Sequence, residues 1–526
     1  NFKRGEVIGY SGRSGVKHSH LHFELRSNWN EPVNPLVNGY RFPDHRAPTP
    51  VAFALTPLDS RSTVEKRHQT RIYDQLYRQE DGVYRVRDPI GITGRIGLSL
   101  EVYDQADRSE NILAVYRIEM KLDGEVIWIT KFDRFTFDQN SQIELERDYR
   151  LTRVGEGDFH RLYRATGNSL DVNTGNGIIE LGGPEAGSLD VEILISDVAG
   201  NKSVVQLEMV SDQVENESRS VGGRPLFDYR GSADEVDGRI TIRFLESYFY
   251  IVSPPGIAAF EFEQEPGRLV PVAEVDGGVA AVWEPPPGFQ GRLLISALDR
   301  SGHIAARTDK RFYPVFSDRD TTYLVLDGTY KIEIPEMSVF ETMWISIERE
   351  PDFQVPGLIE AVCRIEPRDQ PLARPVTIGI RKVDHRFESG WGLYFYDTRR
   401  GWKFLNCELD GDFYVAETKD WERFGLVRDL DRPVVEFVSP SAGQVVKTRR
   451  PFIEVTVMDS TSGLCADSLT MRLDGRIVPA EFDPPRDRII YQPWHELSIG
   501  KHIIETDVSD RVGNRSVKSI QFTVQP

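Results

Sequence analysis

Apolar and polar side chains alternate with period two along most of the chain. Gly97-Leu98-Ser99-Leu100-Glu101-Val102-Tyr103 and Val115-Tyr116-Arg117-Ile118-Glu119-Met120 are examples, and in a strand such residues face opposite sides in turn. Turn-forming residues interrupt these runs roughly every 8–12 positions. No segment carries a convincing 3.6-residue period. The pattern predicts an all-β chain of sandwiches rather than alternating strands and helices.

The runs also repeat. Leu98-Ser99-Leu100-Glu101-Val102-Tyr103-Asp104 is followed by Leu122-Asp123-Gly124 and then by Ser196-Asp197-Val198-Ala199-Gly200-Asn201. Near the end the same parts return in the same order: Ile453-Glu454-Val455-Thr456-Val457-Met458-Asp459, Leu473-Asp474-Gly475 and Ser509-Asp510-Arg511-Val512-Gly513-Asn514. Asp-Gly suits a two-residue hairpin that needs positive φ. An aspartate followed by Gly-Asn builds a turn whose N–H groups the carboxylate can accept. The repeat resembles bacterial immunoglobulin-like modules of cell-surface and secreted proteins. A weaker copy, Ser296-Ala297-Leu298-Asp299-Arg300-Ser301-Gly302-His303, closes a middle module. Acidic loops such as Asp104-Gln105-Ala106-Asp107 invite a calcium reading. Their spacing matches no EF-hand or nonapeptide calcium repeat, and turn-stabilising aspartates are the expectation.

These signals divide the chain. Residues 41–85 contain Pro43, Pro48, Pro50 and Pro57 and then a polar stretch, and are expected to be a linker. A β-sandwich is expected over 86–212, followed by an acidic, Ser/Gly-containing linker from Ser211 to Gly223. Further β domains are expected over 224–315, 316–430 and 432–526. Trp344, Trp391, Trp402 and Trp421 crowd the third of these four. They could form a carbohydrate platform, but aromatics interleaved in strands are usually core.

Length and charge narrow the classes. A chain of 526 residues exceeds one core. Its 39% hydrophobic and 28% charged content is ordinary for a globular protein. With 64 basic against 82 acidic residues the formal charge is −18, which argues against a nucleic-acid or anionic-membrane partner. No apolar run approaches the roughly 20 residues of a transmembrane helix. Cys363, Cys407 and Cys465 fit no zinc-ribbon or C-x-x-C spacing. Cys363 and Cys407 fall in one expected domain, where a disulfide and two free buried thiols are both open.

The candidate chemistry lies at the beginning. Gly5-Glu6-Val7-Ile8-Gly9-Tyr10-Ser11-Gly12 precedes His18-Ser19-His20-Leu21-His22-Phe23-Glu24-Leu25. In a strand His18, His20 and His22 share one face, with neighbours about 6–7 Å apart, while Leu21, Phe23 and Leu25 share the core-facing side. One imidazole can then bind a metal while its neighbour reaches the metal's water or a substrate oxygen. A histidine-rich surface strand is the plainer alternative.

The order G-E-x-I-G-x-S-G, a Gly/Ser loop, H-L-H-F-E-L and an exit through Pro32-Val33-Asn34-Pro35-Leu36 resembles the C-terminal third of lysostaphin-like, LytM-type zinc metallopeptidases. The resemblance covers residues 1–40. It implies a partial peptidase β-sheet domain, which the strand pattern and repeats downstream follow with an expected array of about four immunoglobulin-like sandwiches. It also implies zinc as cofactor, His22 as a metal ligand and His20 as the catalytic residue near the zinc-bound water. The family's other ligands form an upstream H-x-x-x-D motif and a further histidine. None of the ten histidines here has an aspartate four positions later. The expectation is a truncated, inactive C-terminal piece of a longer enzyme.

The resulting expectation is a periplasmic or secreted zinc metalloendopeptidase acting on peptidoglycan peptides, with peptidoglycan or envelope proteins as partners. The alternative is a non-catalytic envelope regulator or scaffold that uses a degenerate peptidase-like fold and its sandwich modules for binding.

Overall fold

A computed structural model describes residues 3, 5, 6, 23–181, 187–212, 222–226, 240–275, 277–350, 362–382, 390–397 and 401–525. Among these the chain is almost entirely strand and turn. The α-helices are two short segments, Ile143–Glu146 and Tyr149–Val154. None is long and apolar enough to cross a membrane, which says nothing of a β-barrel.

The first sandwich is built around one long strand, Ile90–Tyr103, that serves two sheets. Its start runs parallel to the end of Lys202–Ser211, with Met209 opposite Ile90. Its remainder pairs antiparallel with Thr49–Pro57 and with Phe159–Arg161. The facing sheet runs Glu125–Lys131, Arg117–Leu122, Ser188–Ser196, Lys202–Ser211. Period-two alternation does what the sequence predicts here. Val191, Ile193 and Ile195 point inward side by side with Val205, Leu207 and Met209 of the adjoining strand, and Trp128 is fully buried in the same core.

Two expected features differ. Residues 41–85 are not merely a linker, because Thr49–Pro57 is a nearly wholly buried strand between Ile90–Tyr103 and Arg71–Tyr73. Pro50 and Pro57 sit near the strand's ends, where a missing N–H is tolerated. The boundary placed at 315/316 is also crossed by a strand, Ile304–Val315. Its first part pairs with Arg292–Asp299 and its last four residues with Met343–Glu350. The sheet is therefore continuous across the boundary, and one hydrophobic cluster runs from Ile242 to Leu426. The described residues between 240 and 430 form one middle unit.

The last module, residues 432–526, has two sheets and its own core around Ile453, Val455, Ile504 and Phe522. Its order repeats that of the first sandwich. Arg476–Val478, Thr470–Leu473, Gly500–Ser509 and Arg515–Val524 lie side by side, and Val445–Val446 runs parallel to the last of them. The Leu-Asp-Gly turns correspond in detail. Asp123 and Gly124 have φ +49° and +85°, Asp474 and Gly475 +51° and +78°. Asp123 Oδ1 accepts from Asp190 N and Asp474 Oδ1 from Ile503 N, each at 2.9 Å.

The helix Tyr149–Val154 closes on Gly155 in the left-handed conformation and docks the first sandwich on the middle unit. Tyr149 Oη donates to Asp420 Oδ1 at 2.6 Å, and Arg153 pairs with Glu422. Tyr248 Oη donates to the His68 carbonyl at 2.8 Å.

Candidate functional site

His18, His20 and His22 lie outside the described residues, so the structure gives no donor geometry for the expected zinc site. The segment that leaves it is described. Leu25–Asn28 and Glu31–Val33 form an antiparallel hairpin. Asn34 N donates to Asp133 O at 2.8 Å and Asn34 Nδ2 to Phe132 O at 2.9 Å. Asn30 Nδ2 reaches Asp138 Oδ2 at 2.9 Å, and Arg26 lies over the Phe137 ring at 4.8 Å. The histidine segment is thus followed closely by a hairpin tied to the first sandwich. Phe23, expected to face a core, is 53% exposed. Its aromatic neighbour is Tyr40, 5.0 Å away, and the hairpin beyond it is itself largely exposed.

A cleft of about 310 Å³ opens where the first sandwich meets the middle unit. Arg150 and Arg161 line it, and both lean on buried Asp148. Its carboxylate accepts from Ser99 Oγ at 3.0 Å and lies 3.4 Å from both Arg150 Nε and Arg161 Nη2. Burial works to raise the Asp148 pKa, but Arg150, Arg161 and Ser99 hold it down at about 2. Arg150 also pairs with Glu246 of the middle unit at 2.6 Å. Facing them, burial pushes the Glu341 and Asp369 carboxyls up. Cations and carboxylates are interleaved in this network, which suits joining two modules.

Among the described residues, two groups of carboxylates could hold a metal: Asp44, Asp104 and Asp197, and Asp429, Asp459 and Asp510. In each, three oxygens lie within 4.8 Å of one another. Burial, then neighbouring carboxylates, raise the Asp104 pKa to about 6 and raise that of Asp459. Along the sequence Asp104, Asp459 and the Asp-x-x-Gly-Asn aspartates Asp197 and Asp510 stand out singly, as strand-end or turn residues, whereas Asp44 and Asp429 do not. A signal was present: Asp44 to Pro48 and Asp429 to Pro433 share a D-x-x-x-P spacing at the entrance to each module.

Trp421 is fully buried, and Trp344 packs on Phe289 with ring centroids 5.0 Å apart, so these two serve the core. Cys363, Cys407 and Cys465 are free thiols.

No protein-family model matches the chain, and no curated protein matches it. Several solved structures do. CopC from Methylosinus trichosporium OB3b is 19% identical over 18% of this chain and 95% of its own, with a TM-score of 0.15. SGBP-B of the Bacteroides ovatus mixed-linkage glucan utilization locus, solved with a mixed-linkage heptasaccharide, is 10% identical over 89% of this chain and 71% of its own, with a TM-score of 0.12. The N-terminal eight Ig domains of Down Syndrome Cell Adhesion Molecule isoform 1.30.30 are 8% identical over 92% and 71%, with a TM-score of 0.14. The strand pairings themselves define the class: an all-β chain of tandem β-sandwich modules.

Proposed function

We propose that residues 1–40 belong to a lysostaphin-like zinc metalloendopeptidase domain acting on peptidoglycan peptides outside the cytoplasm, carried on an immunoglobulin-like β-sandwich array. One observation carries this reading: the glycine-punctuated run Gly5–Gly12 followed by His20-Leu21-His22-Phe23-Glu24. The Leu25–Val33 hairpin that follows is consistent with it, since it ties this segment to the first sandwich. His22 would be a zinc ligand. Zinc held there would supply a Lewis acid and lower the pKa of its bound water. His20, two positions earlier in the motif, would hold or move a proton beside that water. A complete centre needs two further protein ligands besides His22. The array would set the distance and orientation of the catalytic face relative to the wall.

The test uses the natural full-length protein, wild type and His22→Ala, with zinc content and release of peptidoglycan fragments as readouts. Stoichiometric zinc and cleavage in the wild type, both lost in His22→Ala with the β array still folded, is the expected result. Wild-type protein that binds zinc yet cleaves neither peptidoglycan nor glycine-rich peptide would overturn the reading. Peptidoglycan or envelope-protein binding without zinc or cleavage would favour the scaffold alternative.

A further inference from the structure

The two aspartate groups are one constellation built twice. Asp44 and Asp429 each stand five residues before the first strand of their module, Thr49–Pro57 and Val434–Ser439. Asp104 and Asp459 each follow directly on a core strand, Ile90–Tyr103 and Ile453–Met458. Asp197 and Asp510 each open the turn of the last hairpin.

The supporting bonds recur as well. Asn201 Nδ2 bridges Asp197 Oδ2 at 2.7 Å and the Asp44 carbonyl at 3.2 Å. Asn514 Nδ2 bridges Asp510 Oδ2 at 2.7 Å and the Asp429 carbonyl at 3.0 Å. Ser203 Oγ donates to Pro48 O and Ser516 Oγ to Pro433 O, each at 2.6 Å.

Turn formation does not account for all of this. Asp197 Oδ1 and Asp510 Oδ1 do accept turn N–H groups, from Gly200 and Asn201 and from Val512 and Asn514. Asp104 is different. It is 4% exposed, its carboxylate belongs to the converging set, and its Oδ1 has no hydrogen-bond partner among the described residues. Beside Asp429 the Ser462 hydroxyl is 2% exposed and equally without a partner, while its N–H donates to Asp429 Oδ2. None of the six aspartates forms an ion pair with a lysine or arginine among the described residues. Arg46 acts on Asp104 only through its charge, and it is the Arg46 backbone N–H that donates to Asp44 Oδ1 at 3.0 Å. Three carboxylates gathered this closely without a paired cation repel one another strongly at low dielectric.

We propose that each of these two sandwiches binds one calcium ion, ligated by Asp44, Asp104 and Asp197 in the first and by Asp429, Asp459 and Asp510 in the last. The donors are all hard oxygens with no histidine or cysteine among them, which suits calcium rather than zinc. Backbone carbonyls and water complete the shell. The middle unit supplies an internal contrast. Its equivalent turn has Asp299 accepting from Ser301 N and His303 N, and it belongs to neither group. Position gives the second site a consequence. Asp429 directly follows the last strand of the middle unit, Arg423–Arg428, so an ion there ties that unit to the last sandwich.

The experiment is equilibrium dialysis of the chelated chain with radioactive calcium, with thermal melts in calcium and in EDTA. Two equivalents are expected, one per group. Calcium about a hundredfold above Kd should raise the melting temperature by at least about 4 °C. Asp104→Asn and Asp459→Asn should each remove one equivalent or raise its Kd at least about tenfold, whereas Asp299→Asn should keep both. Should either variant fail to fold, the wild-type stoichiometry and the EDTA melt decide. Fewer than two equivalents, or melts indifferent to EDTA, would overturn the proposal. Calcium uptake is read without zinc or peptidoglycan, so its failure and that of the peptidase reading are distinguishable.

Discussion

Arg150→Met removes the central cation of the junction between the first sandwich and the middle unit. Arg150 is 4% exposed, with Nη1 2.6 Å from Glu246 Oε1 and Nε 3.4 Å from Asp148 Oδ1. Methionine keeps much of the apolar stem, so the perturbation is chiefly electrostatic. Removing one partner of a buried pair costs on the order of 3–5 kcal/mol, because the other charge is left uncompensated. Here Asp148 keeps Arg161 at 3.4 Å and Ser99 at 3.0 Å. The Glu246 side chain is 23% exposed and can be hydrated. Both facts favour the lower end, about 3 kcal/mol.

The pH dependence follows from Asp148, whose pKa is lowered from 3.8 to about 2. At about 1.4 kcal/mol per pH unit, that difference stabilises the fold by about 2 kcal/mol at neutral pH. A lowered folded pKa means the contribution is present above about pH 4 and is lost as pH falls towards 2. Urea unfolding of the chain, followed by tryptophan fluorescence at pH 7 and near pH 3, reads both. The expected result is a loss of about 3 kcal/mol at pH 7 that shrinks at the lower pH, with Asp148→Asn less than additive to Arg150→Met. A loss below about 1 kcal/mol, or one indifferent to pH, would refute the claim that this network holds the junction.

Other outcomes follow from single residues. Burial opposes protonation of His502, yet the Ser498 carbonyl and Asp474 carboxylate win and raise its pKa above 6.5. Its contribution to the last sandwich is therefore full below pH 6.5 and lost as pH rises through the folded value, a dependence that His502→Gln should abolish in melts across that range. Gly175 has φ +98°, and a methyl there would overlap the Ile127 carbonyl oxygen. Gly175→Ala should cost about 2 kcal/mol or more in chemical denaturation. Cys363 is 1% exposed and burial pushes its thiol pKa up, so mapped thiol labelling should reach Cys407 and Cys465 first and Cys363 only on unfolding.

What the sequence determined by itself was local. Period-two alternation placed strands such as Ser188–Ser196, because burial on one face of a strand imposes that period whatever the partner. The Leu-Asp-Gly turns were legible because positive φ at two successive residues is a demand that Asp-Gly meets within the turn. The histidine run was legible only as a motif, from the alternation of His18, His20 and His22 along the sequence. Partner choice was decided by the tertiary structure. Thr49–Pro57 reads as a proline-broken linker until two strands take up its edges. Ile304–Val315 looks like the end of one domain because a strand's sequence does not say that its two halves bond to different neighbours. The aspartate groups are the clearest case. Each carboxylate is an ordinary turn or loop residue along the chain, and only the folding of distant strand ends onto one another gathers three of them within 4.8 Å, where their mutual repulsion becomes a property of the site.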